Sequence, residues 1–166
     1  MNVISNHLEK LASGPLFSFA SWKDAAVPVA TAGVYSIWDS VGTLIYVGMS
    51  GRGMSNEDLA ASQIKGQKRG LYTRLGSHAS GVRSGDQFCV YVADRFVLPA
   101  LTPEEIVAIS KREIMFDHLV KKYIHMHLHF RYTTTHDGKE AEKLEAEARS
   151  GALGSLPFLN PLVKKI

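Results

Sequence analysis

The chain has 166 residues, of which 45% are hydrophobic and 21% are charged, with a formal net charge of +3. These values are typical of one globular domain with its own core. The mild net positive charge permits a polyanionic partner but does not require one. No apolar run approaches the roughly 20 residues of a membrane span. A single cysteine, Cys89, excludes an internal disulfide and suits a reducing compartment, so we expect a cytoplasmic protein.

The first 29 residues predict an extension that packs on the domain after it. Residues 2–12 match a short helix with Ile4, Leu8 and Leu11 on one face. Gly14 and the proline after it end this helix. We assign no chemistry to the extension.

Residues 33–48 predict a β-hairpin. Apolar and polar positions alternate with a period of two in the first arm, and residues 39–42 have the composition of a turn. Each arm carries a tyrosine close to a glycine, so that Tyr35 and Tyr46 can hold their hydroxyls near one another. Gly48, which closes the second arm, is expected to let a ligand approach the backbone.

Residues 49–69 and the segment after them concentrate basic side chains. Helix-capping chemistry at Ser55 predicts a turn of helix over residues 56–63. Phosphate contacts come largely from Lys and Arg, and a solvated basic loop is the alternative interpretation. The basic residues singled out as a nucleic-acid surface are Lys65, Lys68, Arg69 and Arg83.

A helix is predicted over residues 71–79, with Gly81 as its stop. Arg74 and His78 are four residues apart and therefore share one face of this helix. Gly76, inside the helix, leaves room either for a phosphate or for close packing against a neighbouring element.

Between residues 88 and 123 the sequence predicts structure without chemistry. Residues 88–93 alternate weakly, which indicates a strand. Thr102, Pro103 and Glu105 then form a helix start. Helical spacing continues to about residue 123, as one helix or as two helices with a break near Ser110.

Residues 124–133 alternate strictly, which predicts the third strand of the sheet. His125, His127 and His129 would share its polar face. A zinc or iron site is one interpretation of three histidines two apart. The alternative, a polar outer face of a one-sided sheet, is favoured because no cysteine or carboxylate follows at metal-site spacing.

Five pieces in order resemble the GIY-YIG nuclease family. They are Gly33-Val34-Tyr35, Tyr46-Val47-Gly48, Arg74-x-x-x-His78, a last helix with Glu145, and Pro157-x-x-Asn160. The likeness covers roughly residues 30 to 165. It departs from the family pattern by a longer loop at 49–69 and by an inserted segment at 93–123.

The resemblance implies a fold and an activity. The expected class is α/β (α+β): a small, central, mainly antiparallel three-stranded sheet flanked by helices, over residues 30–166. The expected activity is metal-dependent endonucleolytic hydrolysis of DNA, double-stranded or branched. A catalytically silent nucleic-acid-binding module on the same scaffold is the alternative.

The resemblance also implies a role for each site residue. Arg74 would clamp the scissile phosphate, and Glu145 would hold one divalent cation, Mg²⁺ or Mn²⁺. Tyr46 would position the attacking water or bind the phosphate. Tyr35 would activate or orient that water, while His78 is a second candidate for the general base or a relay.

Two residues near the site have structural roles, and the metal ligand has a rival. Gly48 permits close backbone approach, and Asn160 is expected to brace the domain near the acid. Glu147 lies nearer in spacing to residues 157–160 than Glu145 does. Glu145 is favoured because helical periodicity turns it towards the domain, and Glu147 is rotated away from it by about 200°.

Overall fold

The computed structural model describes residues 3–161, so the last five residues of the expected domain lie outside the described part. The fold is mixed α/β with a mainly antiparallel open sheet, as the sequence predicted. The strands are β1 (Phe17–Ser18), β2 (Ala30–Asp39), β3 (Leu44–Ser50), β4 (Arg69–Gly70) and β5 (Leu128–Thr135). The helices are α1 (Val3–Ser13), α2 (Asn56–Ile64), α3 (Leu71–Ser80), α4 (Gln87–Val92), α5 (Pro103–Ser110), α6 (Phe116–His127) and α7 (Gly138–Glu147).

Short helical turns accompany these elements. A 3-10 helix covers Phe19–Ala25 and a second covers Leu98–Ala100. Turns of π-helix, Ala93–Val97 and Ala148–Ala152, continue α4 and α7. None of the helices within residues 3–161 is long and apolar enough to cross a bilayer.

The ten-residue strand β2 organises the sheet. It pairs antiparallel with β3 on one side and with β5 on the other, and the path of the sheet runs β1-β5-β2-β3. The two-residue β4 adds a short parallel pairing to the start of β2. The three long strands therefore form the predicted sheet, and β1 and β4 extend it.

The sheet has a buried core on each face. Val34 and Trp38 point from β2 into a core that Leu11 of α1 and Leu144 of α7 complete. Tyr35 and Ile37 point to the other side, where they join α3, α4 and α6. The predicted alternation of the hairpin thus decides which residues face which layer.

A C-terminal segment covers the edge of β3. The backbone of residues 158–159 donates hydrogen bonds to the carbonyls of Leu44 and Ile45 at 3.0 and 2.8 Å. Asn160 continues this pattern with its side chain: Oδ1 accepts from the N–H of Val47 and Nδ2 donates to its carbonyl, both at 2.8 Å. The expected bracing role of Asn160 therefore has a specific partner.

The prediction of a strand at residues 88–93 is wrong, because this segment lies in α4 and its π-helical continuation. The buried residues Phe88, Cys89 and Val92 follow helical spacing. Asp86 supplies the helix start, since its side chain accepts a hydrogen bond from the N–H of Cys89.

The strand predicted over residues 124–133 begins four residues late. Val120 and Ile124 are the buried positions of α6, and their four-residue spacing carries the helix through His127. Leu128 then adopts an extended backbone and opens β5. The alternating pattern predicted too long a strand, because its first four positions belong to the end of α6 and the rest to β5.

This boundary separates the three histidines that suggested a metal site. His125 lies on α6 and its Nε2 is 2.8 Å from the carbonyl of Ala79. His127 packs its ring on Tyr123, and His129 belongs to β5. The three histidines therefore do not share one face of a strand, and the structure does not support the histidine metal site.

Several local predictions are confirmed. Ser55 and Thr102 each form a capping box at the start of α2 and α5. Gly81 ends α3 in the left-handed conformation, and the chain breaks between α5 and α6 after Ser110. For Gly76 the structure decides between the two alternatives: a Cβ there would lie 3.0 Å from the ring of Trp22, so the glycine serves close packing.

We expect Asn160→Ala to lower the free energy of unfolding by about 1–3 kcal/mol, because both backbone groups of Val47 lose their partner. Urea titration followed by circular dichroism measures the change. Asn56→Ala, at an exposed position of α2, is the matched control and should change stability by less than about 0.5 kcal/mol. Equal stabilities of the two variants would contradict the bracing role.

Candidate active site

A cavity of about 510 Å³ opens at the C-terminal end of β3. This end follows Val47, the residue whose backbone binds Asn160. It is lined by backbone and side chains from β2, β3, α3, α4 and α7. The five residues predicted as catalytic all line it, and they are Tyr35, Tyr46, Arg74, His78 and Glu145. They come from positions between 35 and 145 of the chain, so the fold and not sequence proximity brings them together.

The strand register of the hairpin determines the positions of the two tyrosine side chains. Tyr35 lies directly opposite Gly48, and Tyr46 lies opposite Ile37, so both rings leave the same face of the sheet with centroids 6.4 Å apart. A Cβ at Gly48 would overlap the Tyr35 hydroxyl and would lie 2.6 Å from its Cζ. The glycine is therefore required for the tyrosine to occupy this position.

A chain of three buried polar groups forms the floor of the cavity. The Tyr35 hydroxyl lies 2.8 Å from Nε2 of His78, and Nδ1 of His78 lies 2.7 Å from Oδ2 of Asp86. Each of the three residues is at most 2% exposed. The two candidates for the general base, Tyr35 and His78, are therefore parts of one hydrogen-bonded unit.

Burial and hydrogen bonding shift the pKa values of His78 and Asp86 and so determine their charges. Desolvation lowers the pKa of His78, and the nearby charge of Arg74 acts in the same direction, although Asp86 opposes both. Burial alone would raise the pKa of Asp86, but hydrogen bonds from His78, Ser77 and the backbone of Cys89 outweigh it and lower the pKa to about 2. A neutral imidazole therefore faces an ionised carboxylate.

Desolvation also raises the pKa of both tyrosines. It raises the pKa of Tyr35 well above 10, with Tyr46 adding to the effect. It raises the pKa of Tyr46 to about 12, helped by the negative charge of Glu145. Both phenols are consequently protonated at neutral pH and can donate hydrogen bonds into the cavity.

The start of α3 forms one wall of the cavity. Gly70 precedes the helix with φ +68°, where a Cβ would collide with the carbonyl of Thr31, and no side chain caps this end of the helix. Arg74 follows one turn later, exposed, with no hydrogen bond or ion pair to another described residue. A free guanidinium beside an uncapped helix N-terminus is suited to bind an anion.

The opposite wall carries the acid. Glu145 of α7 lines the cavity, and its Oε1 is 3.8 Å from Nη1 of Arg149. Burial raises its pKa, while Arg149 and Arg52 counteract this effect. Glu147 is exposed and does not line the cavity, so the geometry agrees with the preference for Glu145. Carboxylate oxygens with free lone pairs are the ligands that Mg²⁺ and Mn²⁺ take in proteins.

A second cavity of about 690 Å³ adjoins the first, because Arg52 and Glu145 line both. It lies between α7 and residues 156–161. Arg52 reaches this junction from the loop after β3 and pairs with Glu142 at 3.1 Å. It is the basic residue of the 49–69 loop that lines the cavities, and the sequence analysis did not select it.

The predicted basic surface is not part of the lining of the cavity. Its four residues, Lys65, Lys68, Arg69 and Arg83, do not contribute to the cavity lining. Lys65 and Lys68 are exposed to solvent, and Arg69 donates to the hydroxyl of Ser62. Arg83 pairs with Asp117 at 2.5 Å on α6, so its charge is already engaged.

Asp86 is the site residue that the sequence analysis missed. Its position before α4 is a helix-start signal, with a side-chain acceptor followed by helically spaced apolar residues. The incorrect strand at 88–93 concealed that signal. Its contact with His78 joins residues of α3 to the start of α4, which local sequence patterns do not reveal.

A further cluster of potential metal ligands overlaps this chain. Ligand atoms of His78, Asp86 and Cys89 lie within 4.8 Å of one another. The 2.7 Å between the His78 and Asp86 atoms is a hydrogen-bond distance, whereas two ligands of one tetrahedral ion lie roughly 3.4 Å apart for bonds of about 2.1 Å. Burial also raises the pKa of the Cys89 thiol, which favours its protonated form. The geometry is therefore that of a hydrogen-bonded chain.

Comparisons with protein-family models, with curated proteins and with solved structures find no match for this chain. The likeness to the GIY-YIG family rests on the motifs quoted above. The geometry of the cavity is therefore the basis for any statement about function.

The buried neutral imidazole predicts a pH-dependent stability. Because the folded-state pKa of His78 lies below the usual 6.5, the unfolded chain binds more protons as the pH falls through that value. The folded state then loses at most about 1.4 kcal/mol per pH unit through this residue. We expect the free energy of unfolding of His78→Gln, measured by urea titration, to vary less between about pH 7 and pH 5 than that of the native protein.

His118→Gln is the matched control, since His118 is exposed on α6. It should retain the native dependence on pH. An unchanged dependence in His78→Gln would contradict the burial of a neutral imidazole.

Proposed function

We propose that the protein is a metal-dependent endonuclease of the GIY-YIG type that hydrolyses DNA phosphodiester bonds. One observation carries the proposal: a single cavity is lined by two phenols, an unpaired guanidinium, a buried imidazole and a carboxylate. Hydrolysis of a phosphodiester requires an activated water, stabilisation of the pentavalent phosphate and neutralisation of its charge. The cavity has a side chain for each requirement.

Arg74 and the start of α3 form the seat for the phosphate. The guanidinium presents a planar fork of donors that matches two phosphate oxygens and stays charged at every physiological pH. The uncapped first turn of α3 adds the positive end of the helix dipole. Tyr46, protonated and half-buried between Tyr35 and Glu145, donates from the other side.

Tyr35 and His78 activate the water. As the water oxygen attacks phosphorus, its proton passes to the Tyr35 oxygen while the Tyr35 proton passes to Nε2 of His78, 2.8 Å away. The bond from phosphorus to the leaving oxygen breaks, and that oxygen takes a proton from solvent. The products are a phosphomonoester and an alcohol, and His78 later returns its proton to solvent.

Glu145 fits the role of metal ligand. Its carboxylate faces the cavity and makes a single long ion pair among the described residues. A Mg²⁺ or Mn²⁺ ion held by Glu145 would neutralise charge at the phosphate. Arg74 and Tyr46 orient the substrate by hydrogen bonds from the cavity wall.

The DNA extends beyond the cavity along basic residues. Arg52 lies at the junction of the two cavities, and Lys65 and Lys68 are exposed near α2 and the start of α3. Contacts of this kind set affinity without reading the base sequence. Either a double-stranded or a branched substrate satisfies them.

Incubation of supercoiled plasmid with the purified protein tests the function. We expect nicking with Mg²⁺ and none with a chelator, and a decrease of about 100-fold or more for Arg74→Ala, because one donor to the transition state is lost. Lys111→Ala, which removes a positive charge elsewhere on the surface, should cleave like the native protein. Binding of DNA by the native protein without nicking would instead support the silent binding module.

A pair of isosteric exchanges tests the acid. Glu145→Gln removes the charge that holds the cation, so we expect nicking to fall about 100-fold or more and the requirement for Mg²⁺ to rise. Glu147→Gln, two residues further on the same helix, should stay within about twofold of the native rate. The reverse pattern would assign the metal to Glu147.

A further inference from the structure

We propose that Asp86 is a positioning residue of this site, which fixes the tautomer of His78 so that Nε2 is free to accept the proton of Tyr35. This inference rests on the proposed nuclease function and adds a member that neither the sequence motifs nor the expected catalytic set contained. It concerns which nitrogen of the imidazole carries hydrogen, and that property can be measured without any substrate.

The contacts of Asp86 hold its carboxylate in one orientation. Oδ2 lies 2.7 Å from Nδ1 of His78 and accepts from the hydroxyl of Ser77 at 2.7 Å. Oδ1 accepts from the N–H of Cys89 at 3.2 Å. The residue is 1% exposed, so solvent does not compete for these bonds.

The directions of the hydrogen bonds follow from the chemistry of the partners. An ionised carboxylate only accepts, so the hydrogen between His78 and Asp86 belongs to Nδ1 of the imidazole. A neutral imidazole has one N–H, and Nε2 therefore presents its lone pair. The Tyr35 hydroxyl is then the donor in the 2.8 Å bond to Nε2.

Among residues 3–161, Asp86 is the anionic residue that contacts the imidazole of His78. The titratable groups that face His78 come from β2, β3, α3 and the start of α4. They are Tyr35, Tyr46, Arg74, Asp86 and Cys89. The phenols and the thiol are neutral at pH 7, and Arg74 repels a positive imidazole, which leaves Asp86 as the stabilising charge.

This arrangement matters when the proton moves. The proton that reaches Nε2 creates an imidazolium, and the carboxylate 2.7 Å from Nδ1 stabilises it while remaining ionised itself. In the opposite tautomer Nε2 would carry hydrogen towards Tyr35, and the phenol would have no acceptor. The carboxylate therefore both selects the reactive tautomer and stabilises its product.

Asp86 also begins α4, and the exchange Asp86→Asn separates the two roles. Asparagine is as good a helix cap as aspartate, so its Oδ1 can still accept from Cys89. Its Nδ2 replaces the oxygen that faces Nδ1 of His78 and donates a hydrogen bond there. That reversal favours hydrogen on Nε2, with little change in shape.

We expect Asp86→Asn to lower kcat for plasmid nicking by about 10²- to 10⁴-fold, with KM within about threefold because no phosphate contact is lost. Since Asp86 raises the pKa of His78, the acidic limb of the residual activity should move to lower pH. Asp137→Asn is the matched control, because Asp137 caps α7 in the same way. The imidazole beside it, that of His136, is exposed and 3.9 Å away. This variant should cleave like the native protein.

Nitrogen-15 NMR of histidine-labelled protein reads the tautomer directly. We expect His78 of the native protein to show hydrogen on Nδ1 and a lone pair on Nε2, and the Asp86→Asn variant to show the reverse. Native cleavage by the variant, or hydrogen on Nε2 in the native protein, would overturn the proposal. If Asp86→Asn does not fold, the native spectrum alone decides, and absence of cleavage by the native protein would overturn the nuclease function and not the tautomer.

Discussion

The antiparallel register between β2 and β3 is the constraint on which the site depends. It places Tyr35 opposite Gly48, the residue that leaves space for its hydroxyl, and it places Tyr46 on the same face. A slip of β3 by one residue along β2 would turn Tyr46 to the opposite face and separate the two phenols. The hydrogen bond from Tyr35 to His78 then ties the hairpin to α3, so the main-chain pairing of the sheet determines the geometry of the polar groups.

The polar chain of the site is built into the core and does not lie on a loop. His78 packs against both Tyr35 and Phe88, and the two aromatic residues belong to the cluster that fills one face of the sheet. Burial of such groups is costly unless every donor and acceptor is satisfied, and here each member has its partner within 2.8 Å. Folding of this core therefore also positions the polar side chains of the site.

The sequence was informative for several features that depend on local structure. Alternation in the hairpin, the capping boxes at Ser55 and Thr102 and the stop at Gly81 all depend on residues close in the chain, and the structure agrees with them. The strand boundary at Leu128 could not be found, because the apolar positions of a helix end and a strand start merge into one alternating run.

In the candidate site, too, some residues could be predicted from the sequence and others could not. The motifs indicated the five residues that line the cavity, yet they gave no indication of Asp86, whose contact with His78 depends on how α3 and α4 pack. Charge counting favoured a basic surface at Lys65 and Arg83 over Arg52, because it does not show which side chains line the cavity.

The side chain of Asn160 has a consequence for association between molecules. The outermost strand of an open sheet presents free N–H and carbonyl groups to which another polypeptide can add in register, and this is a common route to aggregation. At Val47 the amide of Asn160 occupies both groups in the place of a sixth strand. The same side chain that lines the second cavity thereby protects this edge of the sheet from pairing with another chain.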